Sequence, residues 1–364
     1  MDPDSLMKIV TIVGARPQFI KAAPVSRALA SGGIEEVLVH TGQHYDYEMS
    51  EIFFKELEIP APNVNLDIGS GSHAQQTGQM LIGIETVLLK ERPDWVLIYG
   101  DTNSTLAGAI AASKIYIPVA HVEAGLRSFN RRMPEEINRV VADHLSSLLL
   151  CPSETAVKNL SAEGVLRGVH MVNDVMADAL LFASSHAHRH SNVLTRLGLV
   201  EKRYLLATVH RAENTDDVKR LGNILTAFSR MEETIVFPVH PRTRKKIAEL
   251  AESFEMKDLA NNVRMIGPVG YSDMVLLEQS ARMILTDSGG IQKEAYWLGV
   301  PCITMRDETE WIETVEAGWN VVVGADSNRI CEMVKTMAPP SHRPVLYGDG
   351  HAAIRVMQVL LTGV

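Results

Sequence analysis

The feature that most constrains this chain is an alternation that runs through one half and then starts over: short β-branched runs separated by helix-length amphipathic segments. Such repetition predicts parallel sheets covered by helices, because two parallel strands must be joined by a crossover long enough to be a helix. The first series contains the runs Ile9 to Val13, Val37 to His40, Trp95 to Tyr99, Val119 to Val122, Leu148 to Cys151 and Val169 to Val172, with Ala74 to Lys90 and Asn103 to Ile115 as crossover helices. The second contains Tyr204 to Val209, Ile235 to Val239, Val263 to Ile266, Met283 to Asp287, Cys302 to Met305 and Val321 to Val323. The chain therefore reads as two α/β halves divided near residue 173. Asp174 to Leu197 is mostly helical in pattern, with a polar, solvated stretch at 185–191. Gly350 to Leu361 reads as a last helix able to pack on either half.

Charge and composition exclude several classes of partner. Lys plus Arg number 35 against 44 for Asp plus Glu, a net charge of −9, so no global positive field draws in nucleic acid or anionic lipid. The longest apolar stretches are strand-sized, well short of the ~20 residues of a membrane span. Cys151, Cys302 and Cys331 are odd in number, far apart and without a CxxC pair, which fits a reducing cytoplasm. His186, His188 and His190 alternate on a helical segment with no carboxylate or cysteine to complete a set, so no metal is expected. Met1 to Leu6 is acidic and lacks an apolar centre; it reads as an added leader or a short unstructured start, with Met7 the first native residue.

Polar residues gather where the apolar runs end, the edge at which open parallel sheets bind ligands. Thr286 to Glu294 follows a strand and opens a helix, so Ser288, Gly289 and Gly290 offer backbone N–H groups and a helix N-terminus to a phosphate, with Glu294 one turn on to accept from ribose hydroxyls. Gly14 to Lys21 is the matching turn of the first half and carries Arg16 and Lys21. It is not a Walker A loop, and the chain has no Gly-x-Gly-x-x-Gly fingerprint after a strand, which argues against NAD. Two phosphate-favouring edges imply a nucleotide diphosphate held in a cleft between the halves. Asp101 and Glu123 each end an apolar run, and Glu135 and Arg139 stand i, i+4 after Pro134, a spacing that puts them on one helix face and permits an ion pair. Crowded carboxylates suit proton transfer at carbon. His210 and Arg211, with His240 at a corresponding strand end, supply cations in the second half.

The motifs GARPQFIK (14–21), TGQHYD (41–46), YGDTNST (99–105), HVEAGLRS (121–128), PEEINR (134–139), TVHRAEN (208–214), PVHPRT (238–243) and TDSGGIQKEA (286–295) occur in this order across nearly the whole chain. Together they closely resemble the non-hydrolysing UDP-N-acetylglucosamine 2-epimerases. The resemblance implies two Rossmann-like domains arranged as in glycosyltransferase-B enzymes: residues 1–172 plus 350–364, with the catalytic carboxylates, and residues 173–349, which bind UDP. It makes Asp101, Glu123 and Glu135 the catalytic carboxylates, Arg139 their orienting arginine and His210 the histidine at the diphosphate. Arg16, Lys21, Ser288, Gly289, Gly290 and Glu294 match nucleotide-binding positions, and the uracil is expected along Val269 to Met274. Some bacterial members bind a second UDP-sugar as activator; Gln43, Gln76, Arg211 and His240 match that site, whereas Asp46 and Gln75 replace the usual Gln and Arg.

A cytoplasmic homodimer without cofactor or metal is expected. Its reaction would be epimerisation at carbon 2 of UDP-N-acetylglucosamine through elimination of UDP and a 2-acetamidoglycal. Thr309-Glu310-Trp311-Ile312-Glu313 lacks an arginine common after this strand, and similar members act on UDP-2,3-diacetamido-2,3-dideoxyglucuronic acid, for which the Arg131-Arg132 pair is the candidate carboxylate partner. A UDP-sugar glycosyltransferase or a non-catalytic binding protein would use the same fold but does not require three carboxylates in the first half.

Overall fold

The computed structural model describes residues 6–42, 61–239, 241–253 and 262–363, without the side chains of Arg16 and residues 251–253. Two compact units emerge, Met1–Phe182 with Tyr347–Val364, and Ala183–Leu346. These limits differ from a division at 172/173 and 349/350, and the reason is local. Helix Val175–His190 begins in the first unit, where Asp178 accepts the Ala352 and Ala353 N–H groups at 3.1 and 2.9 Å and so caps helix Ala352–Thr362. Arg27 lies 3.7 Å over the Phe182 ring in the same unit. The polar stretch 185–191 mostly continues this helix, and the His186 and His190 rings stack at 4.2 Å.

The first unit is built on seven parallel strands, β1 (Lys8–Val13), β2 (Glu35–His40), β3 (Val64–Asn65), β4 (Trp95–Tyr99), β5 (Val119–Val122), β6 (Leu148–Cys151) and β7 (Val169–Met171), in the order β3-β2-β1-β4-β5-β6-β7. Central strands are apolar throughout, as expected of a sheet covered on both faces; all five residues of β4 are buried. Helix Asn103–Lys114 approaches β1 and β4 so closely that a Cβ on Gly108 would come within 2.9 Å of Ile12 and 3.0 Å of Ile98. Its Ala107, Gly108, Ala111 and Ala112 are there to be small, and their packing fixes Asn103 at the carboxyl edge of the sheet. Helix Ala352–Thr362 returns to helix Arg16–Ser31, with Met357 against Gly32.

The second unit repeats the plan with six parallel strands, β8 (Tyr204–Thr208), β9 (Thr234–Pro238), β10 (Val263–Ile266), β11 (Met283–Thr286), β12 (Cys302–Thr304) and β13 (Asn320–Val322), ordered β10-β9-β8-β11-β12-β13. Phe228 and Phe237 meet edge to face at 5.8 Å in its core. In both units the strand order reverses beside the first strand, between β1 and β4 and between β8 and β11. Crevices that receive ligands open at such reversals, outside the carboxyl ends of the strands.

Candidate active site

At the reversal in the first unit the chain leaves β1 through Gly14 and Ala15 and enters helix Arg16–Ser31, with Pro17 in its first turn. Gln18 locks this turn to the end of β4. Its Oε1 accepts the Gly14 and Ala15 N–H groups at 2.8 and 3.0 Å, and its Nε2 donates to Tyr99 O at 2.8 Å and Thr105 Oγ1 at 3.0 Å. One helical turn on, Lys21 forms an ion pair with Glu123, both side chains largely buried. Burial pulls the Lys21 ammonium down, but Glu123, helped by Asp174 and Asp101, outweighs it and holds the group above the ordinary lysine range. Lys21, expected at the nucleotide, is thus the partner of a candidate acid–base carboxylate. Arg16 opens the helix, and its side chain lies outside the described residues.

Asp101 pairs with Arg139 from helix Pro134–Leu145, and Asn138 on the same helix donates to Asp101 O at 2.9 Å. The i, i+4 pair that the spacing of Glu135 and Arg139 permits is not formed. Arg139 reaches Asp101 and, at 3.2 Å, Glu136, while Glu135 is exposed. Glu136 takes that place because it is buried and already held by the Ser128 and Phe129 N–H groups at 2.9 Å. Glu123 has φ 72°, a left-handed conformation that is costly for a glutamate and is concentrated at functional sites. Gly100, beside Asp101, has φ 62°, and a Cβ there would stand 3.1 Å from Glu123 Oε2.

The second unit builds its edge from backbone donors. Asp287, fully buried, accepts the His210 and Arg211 N–H groups at 3.1 Å and Asn214 Nδ2 at 3.2 Å, which folds the end of β8 against the end of β11. The half-exposed His210 ring stands 3.5 Å from the same carboxylate. Ser288 caps helix Gly289–Leu298, and a Cβ on Gly289 would lie 3.5 to 3.6 Å from Trp311 Nε1, Arg211 Nη2 and Glu310 Oε2. Glu310 is engaged by Arg306 at 2.8 Å; burial raises its carboxyl, yet Arg306 and Arg211 hold it below the ordinary range. The positive groups beside the Gly289 turn, with its N–H groups, suit an anion. Val269 and Met274 pack on the same apolar cluster as Ile291, which lies in the first turn of this helix. Glu294 is half-buried, and its charge, after burial itself, keeps the neighbouring Glu278 carboxyl well above the ordinary range.

Of the expected effector residues, Gln43 and His240 lie outside the described residues. Gln76 accepts from Asn103 at 3.1 Å in the first unit, and Arg211 faces Gly289 in the second. Sequence reasoning missed the organisers Gln18, Asn138, Asp143 and Asp287. Their signal is a polar side chain set where an apolar one would pack: Asp143 is buried on an amphipathic helix and Asp287 directly follows an apolar strand.

Comparison with known proteins identifies the family. Residues 27–361 match the family described as UDP-N-acetylglucosamine 2-epimerase. A UDP-N-acetylglucosamine 2-epimerase homolog of Methanococcus maripaludis is 56% identical over 97% of this chain and 99% of its own. The UDP-2,3-diacetamido-2,3-dideoxy-D-glucuronate 2-epimerase of Pseudomonas aeruginosa is 50% identical over 97% and 99%. The solved structure of UDP-GlcNAc 2-epimerase from Methanocaldococcus jannaschii superposes with a TM-score of 0.89 at 44% identity, covering 98% of this chain and 100% of that one. A second structure of that enzyme, in complex with UDP-GlcNAc and UDP, gives 0.80 at 45% identity over the same shares. By sequence along its length and by fold, the chain belongs to the UDP-N-acetylglucosamine 2-epimerase family.

Proposed function

We propose that this chain inverts carbon 2 of a UDP-linked 2-acetamido sugar, converting UDP-N-acetylglucosamine to UDP-N-acetylmannosamine. The observation that carries the reading is the pairing of two strand-end carboxylates with two cations at one sheet edge, Glu123 with Lys21 and Asp101 with Arg139. A hydrogen on carbon 2 beside an acetamido group is not acidic, so direct removal leaves an unstabilised carbanion. Elimination avoids that species. A carboxylate takes the carbon 2 proton, the C–H electrons form the C1=C2 double bond, and the C1–O bond breaks with its electron pair leaving on UDP. The 2-acetamidoglycal is then protonated on its opposite face, and UDP adds back to carbon 1.

In this reading Ser288, Gly289, Gly290 and His210 meet the diphosphate, where charge grows as the C1–O bond breaks. Val269 and Met274 take the uracil and Glu294 the ribose. Asp101 and Glu123 exchange protons, Glu135 remains available at the start of its helix, and Arg139 orients Asp101. The cytoplasm suits three free cysteines, two of them buried with thiols pushed up to about 12. The proposal includes a homodimer, which sedimentation reads directly.

The test is UDP-N-acetylglucosamine alone in heavy water. The manno isomer should form with deuterium at carbon 2; no isomer and no exchange would overturn the reading, and a requirement for an acceptor would point to a glycosyltransferase. A uronate substrate is the second reading, favoured by the 50% identity to the Pseudomonas aeruginosa enzyme and by Trp311 standing where an arginine is common. Arg131 and Arg132 are exposed, and Arg131 lines a hollow of about 700 Å³ with Phe129, Ile137, Val140, Val141 and His144, a lining that excludes Asp101, Glu123 and Arg139. The ratio of specificity constants for the two UDP-sugars, in the parent and in Arg131→Ala and Arg132→Ala, decides between them.

A further inference from the structure

Three successive carbonyls at the end of β4 each rest on a side chain: Tyr99 O on Gln18 and Thr105, Gly100 O on His121 Nε2 at 2.7 Å, and Asp101 O on Asn138. The middle one is unlike its neighbours. Its donor is an imidazole with no exposed side-chain area, and the other ring nitrogen, Nδ1, lies 2.7 Å from Asp143 Oδ1. A carbonyl oxygen has no hydrogen to give, so Nε2 carries a proton. Asp143 Oδ2 receives the Gly125 N–H at 3.1 Å and Arg127 Nη1 at 2.6 Å, both of which can only donate. Burial raises the Asp143 carboxyl, yet His121 and Arg127 hold it below the ordinary range. Paired with the Arg127 guanidinium and the Gly125 N–H, Asp143 is held as a carboxylate that accepts on both oxygens, so Nδ1, 2.7 Å from Oδ1, carries a second proton.

Charge counting agrees. Arg127 also binds Glu163 through Nε and Nη2 at 2.6 and 2.8 Å. With a doubly protonated ring, His121 and Arg127 balance Asp143 and Glu163. A neutral ring would leave Arg127 to be shared between Asp143, which has no exposed side-chain area, and Glu163, which is 29% exposed and also meets His144 Nε2 at 3.2 Å.

We propose that His121 is a buried imidazolium that serves as a positioning residue, clamping the Gly100 carbonyl and through it the turn that presents Asp101. A charge-assisted hydrogen bond is about twice as strong as a neutral one. It acts at the residue whose left-handed φ sets the direction of Asp101 and whose Cα faces Glu123. His121 also lies two residues before Glu123 in β5, so one side chain ties together both candidate acid–base turns. Its kinetic consequence rests on the epimerase reading; its protonation does not.

The test combines ¹⁵N-histidine NMR of the parent with kinetics of His121→Gln and His121→Leu. The His121 ring should show two protonated nitrogens; the single protonated nitrogen of a neutral tautomer would overturn the proposal without any variant having to fold. His121→Leu should lower kcat about 10²-fold, the scale of a misplaced catalytic group, with KM and UDP affinity little changed. His121→Gln, which keeps a donor for Gly100 O, should recover part of that loss. Parent-like kcat in the leucine variant, or equal losses of kcat and UDP affinity in both, would overturn positioning. A parent inactive on every UDP-sugar would sink the epimerase reading instead, and the ring signature would still decide the charge state.

Discussion

The two units share one strand order and one reversal point, yet the edges they build there differ in kind. In the first unit the cations Lys21 and Arg139 are already matched to carboxylates within the fold, and the turns between them are held by buried side chains. In the second, the buried carboxylate Asp287 is spent on the backbone of His210 and Arg211, leaving the His210 ring half-exposed, and the Ser288 N–H is taken by Thr286 Oγ1 at 2.9 Å where Gly289 opens its helix. The same scaffold therefore offers two chemistries. On the proposed reading, the carboxylates of the first edge take and return a proton beside cations that balance them at rest, and the outward positive groups of the second hold an anion.

The strongest way to break this contrast is to remove proton chemistry from the first edge. Glu123→Gln or Asp101→Asn should cost about 10²–10⁴-fold in kcat, the range of general acid–base catalysis, while UDP affinity measured by calorimetry stays within a few-fold. Equal losses of affinity would show that the first edge also holds the anion.

A second test concerns what keeps the first edge folded. Arg127 has 1% of its side chain exposed between Asp143 and Glu163. Arg127→Met leaves Asp143 buried with less compensation, and urea unfolding at pH 7 should show about 3–5 kcal/mol lost. The pH dependence has a definite sign. Asp143 lies below its ordinary range because His121 and Arg127 overcome burial, and Glu163 does so chiefly through its bond to Arg127. Both contribute stability that is full above the unfolded carboxylate range, near pH 4, and is lost as pH falls through the lower folded values. The variant should therefore unfold at a higher pH on acid titration; an unmoved acid transition would remove Arg127 from the network.

The second edge is probed by His210→Ala. A donor beside a leaving group matters most as charge develops, and losing one costs about 10²–10³-fold in rate. Single-turnover release of UDP should slow by that factor, and an unchanged rate would leave the diphosphate to the backbone donors alone.

Much of this architecture is legible in the sequence, for a physical reason. Strands covered on both faces must be apolar along their length, so β4 and β8 stand out as unbroken runs, and the residues that end them are the edge residues of the fold. Two-residue β3 gives no such signal. Pairing is harder to read, because periodicity says which residues share a helix face but not what comes to meet it. Glu135 and Arg139 have the right spacing, yet Asp101, 38 residues away, takes the arginine. The His121–Asp143 bond spans 22 residues and joins a strand to a helix. Nothing in either segment alone announces it.

The smallest effect expected separates stability from binding at one atom. Gly289 is the first residue of its helix, its φ is not left-handed, and the neighbours of an added Cβ lie at ordinary contact distance, 3.5 to 3.6 Å. Gly289→Ala should therefore fold normally and gain about 0.4–1 kcal/mol, since alanine gives up less backbone freedom on folding. On the proposed reading, the same methyl occupies the space through which a phosphate reaches the N–H groups of the turn. UDP should bind about tenfold more weakly, a change of about 1.4 kcal/mol, with the melting temperature slightly raised. Gly100→Ala in the first unit is the counterpart. There φ is 62° and Glu123 Oε2 lies 3.1 Å from the new Cβ, so stability and kcat should fall together while UDP affinity holds. If both alanine variants lost UDP affinity alike, the two edges would share one task and the division of labour between them would fail.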